Sequence, residues 1–544
     1  MFDWLIQDAR IIDGTGKPSF SGDLALSGDR IVQMGKLGSL DAKHRMKAEG
    51  RVVCPGFIDM HSHSDVLFLN GSSLSHKIFQ GVTTELIGQD GMSVAPLTET
   101  SRGPMAEMLE PLAGSLRGEW KPWGMDHFLQ TLGEKRPSIN VATLVGHCNL
   151  RLDAMDYRMA SPSQEELDRM RKLLTVSLKQ GAVGLSLGLI YPPSSYSDTR
   201  ELISLGKGVK GQDAILVAHI RNEQDQVFQA LEEMIAVGRE SGCRIHISHL
   251  KCLGKRNWGR MPEVLALLEK ALKEGIDLSF DQYPYTAACT SLSVLLPSSA
   301  LEGGWRGLQQ RLNEAETTDR ILVEMKRSIE NRGGAGAVTI ASLQTSRNQK
   351  YCGKTLEEVS GEKAMPSEKA ALELIVEEQL QVIAIYHSIS EPDVERAMVH
   401  PLQTVGSDGI MGAFPHPRTY GTFPRVIHHY SVEKRLFSLE EAVRKMTSTP
   451  ANRLNLRSRG RVAPGFYADL LLFRPEDFRG NATFEDPEQF ASGLDWVFVN
   501  GIPVIEEGKL QERYPGRVLK GGGCQSGFTS LAFAEALAQA GFTP

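Results

Sequence analysis

The middle of this chain alternates apolar, strand-like runs with longer segments of helical periodicity, and the alternation repeats about eight times. Amphipathic helical patterns lie between the runs, for example over residues 163–180, 226–241 and 263–274. Repeated strand–helix units build parallel sheets, so the pattern predicts an α/β fold whose leading candidate is a closed (β/α)8 TIM-type barrel. The strand-like runs end near Asp59, Gly88, Gly146, Leu187, His219, His249, Asp281 and Asp408.

The two ends of the chain have a different pattern of apolar and polar residues. Residues 1–52 alternate apolar and polar side chains between turn signals, and a similar alternation returns over residues 468–504. Such patterns are typical of short antiparallel strands. We therefore expect both ends to pair into one small β-sandwich domain, with the barrel inserted between its two parts.

The predicted division of the chain into domains follows from these changes in residue pattern and composition. Residues 290–345 are rich in Ser, Gly, Arg and Glu and break the barrel rhythm, which indicates an insertion over one barrel face. The division has a β-sandwich from residues 1–52 and 453–512, a barrel over 53–452 with the insertion 290–345, and a C-terminal tail over 513–544.

Composition limits the classes of partner and compartment. The net charge of −6 and the pI near 6.2 give no reason to expect nucleic acid or an anionic membrane as a partner. Seven scattered cysteines without a CxxC pair suit a reducing compartment. The N-terminal residues do not resemble a signal peptide, and no apolar run reaches transmembrane length. We expect a cytoplasmic enzyme.

Polar residues at the ends of the predicted strands point to a metal site. His61 and His63 are separated by one residue, so in an extended segment both imidazoles face the same side. His219, His249 and Asp408 follow later runs, and in such barrels the functional groups come from the carboxyl ends of the strands. Imidazole and carboxylate together suit zinc-like ions, and a bound ion lowers the pKa of water from about 15.7 to near 7.

Simpler interpretations apply to some polar residues. A lone histidine near a strand end is more often a hydrogen-bonded structural residue, and we favour that role for His147 and His246. Asp281 is as compatible with a helix cap or a loop, so it is left outside the predicted site. Cys148 and Cys252 are expected to be small buried hydrophobes.

Several motifs together resemble those of a known family. The chain is similar to the amidohydrolase superfamily and, within it, to the N-acyl-D-amino-acid deacylases (D-aminoacylases), from about residue 4 to about residue 510. The matching stretches are PGFIDMHSHSD at residues 55–65, GVTT at 81–84, GH at 146–147, GAVGLSLGLIY at 181–191, HIRNE at 219–223, ISHLKCLG at 247–254, DQYPY at 281–285, VGSDG at 405–409, HPRTYGTFPR at 416–425 and GRVAPGFYAD at 460–469.

The resemblance implies roles for individual residues. A free substrate carboxylate calls for Lys or Arg, and a tyrosine hydroxyl can stabilise an oxyanion. By resemblance, His61 and His63 bind a first metal, His219 and His249 bind a second, Asp408 is the acid/base, and Tyr191, Lys251, Tyr283 and Arg418 surround the substrate.

One position departs from the family pattern. Where the deacylases have a metal-binding cysteine, this chain has Asp90, a harder ligand than a thiolate. Residues 183–189, at the predicted fourth strand, contain no lysine that could be carboxylated to bridge two metals. This counts against a hydantoinase-type or dihydroorotase-type site and leaves Asp90 as the expected bridge. We expect one or two divalent ions, with zinc as the first candidate.

The predicted activity is metal-dependent hydrolysis of the amide bond of N-acyl-D-amino acids, with metal-activated hydroxide as the nucleophile and Asp408 as the acid/base. One alternative is a peptidase or another C–N hydrolase acting on unusual dipeptides or cyclic amides. A non-catalytic barrel subunit is a further alternative, against which the presence of His61, His63, His219, His249 and Asp408 argues. The D configuration rests on the resemblance alone, and the preferred side chain, the acyl group and a homo-oligomeric state are left open.

Overall fold

The computed structural model describes residues 1–38 and 40–521. The first three strands pair antiparallel, as the alternating sequence predicts, whereas the next two pair in parallel with the first strand, against that prediction. β4 pairs in parallel with β1, and so does β5 over a shorter stretch. The five strands are β1 (Phe2–Ile11), β2 (Phe20–Ser27), β3 (Arg30–Gly35), β4 (Ala42–Lys47) and β5 (Val52–Pro55).

Eight parallel strands form the barrel predicted from the sequence. The strand order follows the chain, and the ring is closed where Met60 N donates to Val405 O at 3.2 Å and Ser62 bridges to Gly409. The carboxyl ends of the eight strands therefore meet at one face of the barrel. The barrel strands are β6 (Phe57–Asp59), β7 (Val82–Ile87), β8 (Asn140–Gly146), β9 (Gly184–Gly188), β10 (Ile215–His219), β11 (Arg244–Ile247), β12 (Leu278–Gln282) and, after the three strands described below, β16 (Gln403–Val405).

The insertion is longer than the predicted 290–345. Between β12 and β16 the chain builds a separate antiparallel sheet from β13 (Ala288–Ser291), β14 (Val338–Ser342) and β15 (Ile383–Tyr386). β15 lies beyond residue 345. It belongs to the insertion, because its four buried residues pair with both β13 and β14 and not with a barrel strand. The break in the barrel rhythm therefore reaches past the predicted limit.

Helices cover the outside of the barrel and fill the insertion. The predicted helix over 163–180 begins at Ser163, whose hydroxyl accepts from Glu166 N in a capping box. The helices are α1 (Asp65–Leu69), α2 (Ser75–Ile78), α3 (Arg102–Ala113), α4 (Met125–Glu134), α5 (His147–Met155), α6 (Gln164–Gln180), α7 (Thr199–Gly211), α8 (Val227–Ser241), α9 (Met261–Lys273), α10 (Gly304–Leu312), α11 (Ala315–Asn331), α12 (Leu356–Glu362), α13 (Ser367–Glu377), α14 (Glu391–Met398), α15 (Arg418–Arg425), α16 (Leu439–Met446) and α17 (Ser448–Arg453).

The C-terminal strands complete the first sheet. β17 (Leu470–Phe473) pairs antiparallel with β5, and β18 (Leu494–Val499), β19 (Ile502–Glu506) and β20 (Lys509–Leu510) extend the sheet to nine strands. Arg30, the first residue of β3, also forms an isolated antiparallel bridge to Tyr467, three residues before β17. The buried side chains of the sheet form their own core, as a sandwich-like domain from both chain ends requires.

The beginning of the predicted tail packs on the barrel. Val141 N donates to Arg517 O at 2.9 Å, and Leu519 N donates to Val141 O at 2.7 Å, beside the amino end of β8. Residues 522–544 of the predicted tail lie outside the described residues. Among the helices of the described chain, none combines the length and apolar character needed to cross a bilayer.

Candidate metal centre

A buried ion pair fixes the segment that carries His61 and His63. His61 N donates to Asp59 Oδ1 at 3.1 Å, and the same oxygen accepts from Ser407 N at 2.8 Å, next to Asp408. Lys77 Nζ lies 2.7 Å from both Asp59 Oδ2 and Glu85 Oε1. Because Lys77, Asp59 and Glu85 are fully buried, this network holds the loops after β6 and β16 in one arrangement.

Asp90 contacts all four predicted histidine ligands. Its Oδ1 lies 3.5 Å from His61 Nε2, 3.6 Å from His219 Nδ1 and 3.7 Å from His249 Nε2. Its Oδ2 lies 3.7 Å from His63 Nε2. The loop after β7 thus places one carboxylate between the histidines of three other barrel strands.

Asp408 completes a second carboxylate position beside the first two histidines. Its Oδ1 lies 3.2 Å from His63 Nε2 and 3.6 Å from His61 Nε2, and its Oδ2 lies 2.9 Å from Arg418 Nη2. Two groups of side chains capable of holding a metal ion result, one of His61, His63, Asp90 and Asp408 and another of Asp90, His219 and His249. Asp90 belongs to both.

The ligand atoms have the spacing and the unmet bonding capacity of a metal site. Ligands about 2.1 Å from a tetrahedral zinc ion lie about 3.4 Å from one another, close to the distances between these side chains. Both ring nitrogens of His61 and of His219, together with Asp90 Oδ1, are buried without a hydrogen-bond partner among the described residues. Buried polar atoms are normally satisfied, so these donor sets fit a divalent cation.

Both carboxylates remain ionised despite burial. Burial raises the pKa of Asp90, but the opposing effect of His61 and His219 is larger, so the net pKa lies well below the ordinary value. Burial likewise raises the pKa of Asp408, while Arg418 and His61 lower it to well below the usual range. Both groups are therefore anionic and available for a cation or a proton.

Three of the site residues have left-handed backbone conformations. The φ angles are 56° at Asp90, 34° at His249 and 49° at Asp408, where non-glycine residues are strained. Gly188 makes room for the first of them, because a Cβ at position 188 would lie 1.9 Å from Asp90 O. Strained loops thus aim these side chains into the barrel mouth.

Two carboxylates missed by the sequence analysis support the histidines from behind. Asp281 lies within β12, so its interpretation as a cap or loop residue was wrong; its Oδ1 accepts from His249 N at 2.9 Å, and Oδ2 lies 3.9 Å from His61 Nδ1. Glu223 Oε1 lies 3.0 Å from His249 Nδ1 and pairs with Lys251 Nζ. The four-residue spacing from His219 was the available signal for Glu223. Such outer contacts orient metal ligands.

The predicted substrate residues lie around one cavity of about 360 Å³. Tyr191, Lys251 and Tyr283 line it together with Asp90, His219, His249 and Asp408. Lys251 Nζ lies 2.7 Å from His249 Nδ1, and Tyr191 OH lies 2.7 Å from Thr290 Oγ1. Tyr283 OH is buried without a hydrogen-bond partner among the described residues.

Arg418 lies behind the cavity wall and not on it. It is fully buried, with its guanidinium carbon 4.5 Å from the ring centroid of Tyr283 and its Nη2 donating to Cys289 O at 3.0 Å. Its Nε and Nη1 have no hydrogen-bond partner within the described part of the chain. The structure therefore places Arg418 beside Asp408 and Tyr283.

The residues set aside as structural lie outside the ligand groups. His147 Nδ1 lies 2.7 Å from Ser194 Oγ, and its Nε2 lies 2.7 Å from Glu201 Oε1. His246 hydrogen-bonds to Ser279 and Asp281. Cys148 and Cys252 are buried, and burial raises the pKa of each thiol to about 12.

Known proteins resemble the chain over nearly its whole length. The model of a family described as "Amidohydrolase family" matches residues 46–505. A D-aminoacylase of Alcaligenes xylosoxydans xylosoxydans is 35% identical over 519 residues, covering 95% of this chain and 97% of that protein.

Solved structures resemble the fold as well. The N-acyl-D-glutamate deacylase of Bordetella bronchiseptica, solved with zinc and a phosphonate inhibitor that mimics the tetrahedral intermediate, has a TM-score of 0.82 at 34% identity and matches 95% of this chain and 99% of its own. A D-aminoacylase studied for its binuclear metal centre has a TM-score of 0.81 at 34% identity, with 96% and 100% covered.

Proposed function

Because the chain belongs to the amidohydrolase family, we propose that it hydrolyses the amide bond of N-acyl-D-amino acids, releasing a carboxylic acid and a free D-amino acid. The observation that carries the proposal is the placement of Asp90, which lines the cavity, against four buried histidines. The extent of similarity to a D-aminoacylase supports the substrate class and the D configuration.

We assign the metal positions from the two ligand groups. His61, His63, Asp90 and Asp408 would hold one divalent ion, and Asp90, His219 and His249 would hold a second. Zinc is the proposed metal, in keeping with the donor set. Zinc bound at such a site polarises a carbonyl and makes water more acidic.

Asp408 is the proposed proton carrier. Its ionised carboxylate takes the proton of the attacking water and delivers it to the departing amine nitrogen. Arg418 keeps the pKa of Asp408 low against the effect of burial and orients Oδ2, while Oδ1 faces His61 and His63. The left-handed backbone at Asp408 aims this side chain at the cavity.

Tyrosine hydroxyls and two cations are the proposed substrate-binding groups. Burial raises the pKa of Tyr191 and of Tyr283 well above the ordinary value, so both stay protonated and can donate to an oxyanion or a carboxylate. Tyr191 is assigned to the oxyanion. Tyr283 and Lys251 are assigned to the α-carboxylate, because both line the cavity and Tyr283 OH still has bonding capacity. Arg418, behind the ring of Tyr283, adds positive charge to the same side of the cavity.

We propose β-sandwich parts at 1–52 and 453–512 around a barrel over 53–452, as the sequence indicates, with the insertion extended past residue 345 to include β15. A small acylated amino acid is the proposed partner, without nucleic acid or membrane, and a homo-oligomer is left open. The cytoplasm is the proposed compartment, which the unpaired state of the six described cysteines supports.

The test is hydrolysis by the metal-loaded protein of a panel of N-acetyl-D- and N-acetyl-L-amino acids, dipeptides and cyclic amides. D-selective release of acetate is the expected result, and Asp408→Asn is the matched inactive control. Turnover confined to dipeptides or cyclic amides would replace the proposal with the alternative amidohydrolase activities.

A further inference from the structure

Arg332, at the end of α11 in the insertion, lines the same cavity as Asp90 and Lys251. Its Nη1 donates to Ser328 Oγ at 2.7 Å, and its guanidinium carbon lies 5.6 Å from the ring centroid of Tyr386. No carboxylate of the described residues forms an ion pair with it. The guanidinium therefore presents to the cavity a positive charge that has no ion-pair partner among the described residues.

The other charged groups lining the cavity already have partners of opposite sign. Lys251 pairs with Glu223, and Asp408 pairs with Arg418 at 2.9 Å. Arg221 also lines the cavity, and it lies 2.9 Å from a carboxylate oxygen of Glu233, a residue that is not part of the cavity lining. A half-buried charge without a partner costs free energy, and an anionic group of a bound ligand would offset that cost.

Arg332 and Arg418 form two separate cationic positions. Arg418 contacts Asp408 and the ring of Tyr283, whereas Arg332 contacts the ring of Tyr386. Apolar side chains line the cavity as well, namely Val294, Leu296 and Leu301 of the insertion. A ligand with two carboxylates joined by a short apolar stem could place one carboxylate at Tyr283 OH, in front of Arg418, and the other at Arg332, with the stem against this apolar wall.

We propose that Arg332 binds the side-chain carboxylate of the substrate, so that the preferred substrates are N-acyl derivatives of acidic D-amino acids, D-glutamate or D-aspartate. The inference rests on the proposed function, in which the α-carboxylate is assigned to the side of Tyr283 and Arg418. The planar guanidinium can donate two parallel hydrogen bonds to one carboxylate. In this arrangement the barrel provides the reacting groups, and the insertion determines which substrate side chain is preferred.

The experiment compares kcat/KM for N-acetyl-D-glutamate and N-acetyl-D-glutamine, which have the same shape and differ by one charge. We expect the wild-type enzyme to prefer the glutamate by about 10- to 100-fold, the range for hydrogen bonds to a charged group. Arg332→Gln should abolish that preference while changing kcat/KM for the glutamine less than threefold. Arg327→Gln, on the exposed face of α11, is the matched control and should keep the preference.

Equal kcat/KM values for the two substrates in the wild type, or a full preference retained by Arg332→Gln, would overturn the assignment. If Arg332→Gln does not fold, Ser328→Ala, which removes the hydroxyl that orients the guanidinium, should lower the preference. Failure to hydrolyse any N-acetyl-D-amino acid would refute the proposed function. In that case calorimetric binding of the same two compounds to the metal-loaded protein decides the role of Arg332, and equal affinities refute it.

Discussion

Replacement of Asp90 by asparagine should dismantle the metal centre unevenly. Asp90 is shared by both ligand groups. Without its carboxylate, His219 and His249 remain as a two-ligand position, fewer than the three protein ligands of catalytic zinc sites. The other position keeps His61, His63 and Asp408. We therefore expect Asp90→Asn to lose one ion and to retain the other with weakened affinity.

The size of the effect follows from the burial of Asp90, which is 4% exposed. Removing one partner of a buried charge interaction costs about 3–5 kcal/mol. That energy corresponds to a zinc Kd higher by about 10²- to 10⁴-fold. Competition with a chromogenic chelator gives the Kd, and elemental analysis of the same samples gives the number of ions.

Two variants separate loss of a ligand from general damage. Asp90→Cys supplies a thiolate at the same place and should retain near-wild-type zinc content. Asp393→Asn alters another buried aspartate, which accepts from Gly259 N at 2.8 Å and belongs to neither ligand group, and should leave zinc binding unchanged. An Asp90→Asn protein with the wild-type number of ions and the wild-type Kd would refute the assignment of Asp90 as a shared ligand.

Three further changes test other parts of the site and the fold. Asp408→Asn should lower kcat by about 10²- to 10⁴-fold while zinc is retained, measured on one sample; an undiminished kcat excludes it as proton carrier. Tyr191→Phe should lower kcat by about 10²- to 10³-fold if its hydroxyl stabilises the oxyanion, and an unchanged kcat rejects that role. Burial lowers the pKa of Lys445 from 10.5 to about 7, so the unfolded chain binds the extra proton between these values. The free energy of unfolding, measured by chemical denaturation, should then rise with pH across this window by up to about 1.4 kcal/mol per pH unit, and Lys445→Met should remove the rise. The same pH dependence in both proteins would contradict this role of Lys445.

The barrel could be predicted because its strands are buried along their whole length. All seven residues of β8 and all five of β10 are buried, so each is a mostly apolar run with a polar residue at or directly after its carboxyl end. β15 has the same local pattern but pairs within the insertion. An apolar run predicts a strand without naming its partner, which explains why the insertion was predicted too short.

The metal ligands could be predicted for a related reason. His219 ends a barrel strand and Asp408 follows one closely, so the barrel brings them together. Arg332 follows an amphipathic helix of the insertion and resembles an ordinary solvated charge in sequence. Only the tertiary packing of the three-stranded sheet brings it to the cavity. Glu223 was present in a matching motif, but its contact with His249 depends on the loop conformation.

The antiparallel pairing of β5 with β17 has a consequence for biosynthesis. Pro55 lies opposite Leu470, so 470 − 55 = 415 residues separate the two partners along the chain. At about 5–20 residues per second, a ribosome needs roughly 20–80 s to make the partner after β5 has emerged. During that interval every barrel strand is synthesised while one edge of β5 has no strand beside it. The edge at Val52–Pro55 is therefore open to mispairing and chaperone capture during this interval, and in a chain whose translation stops before residue 470 it never gains its partner strand.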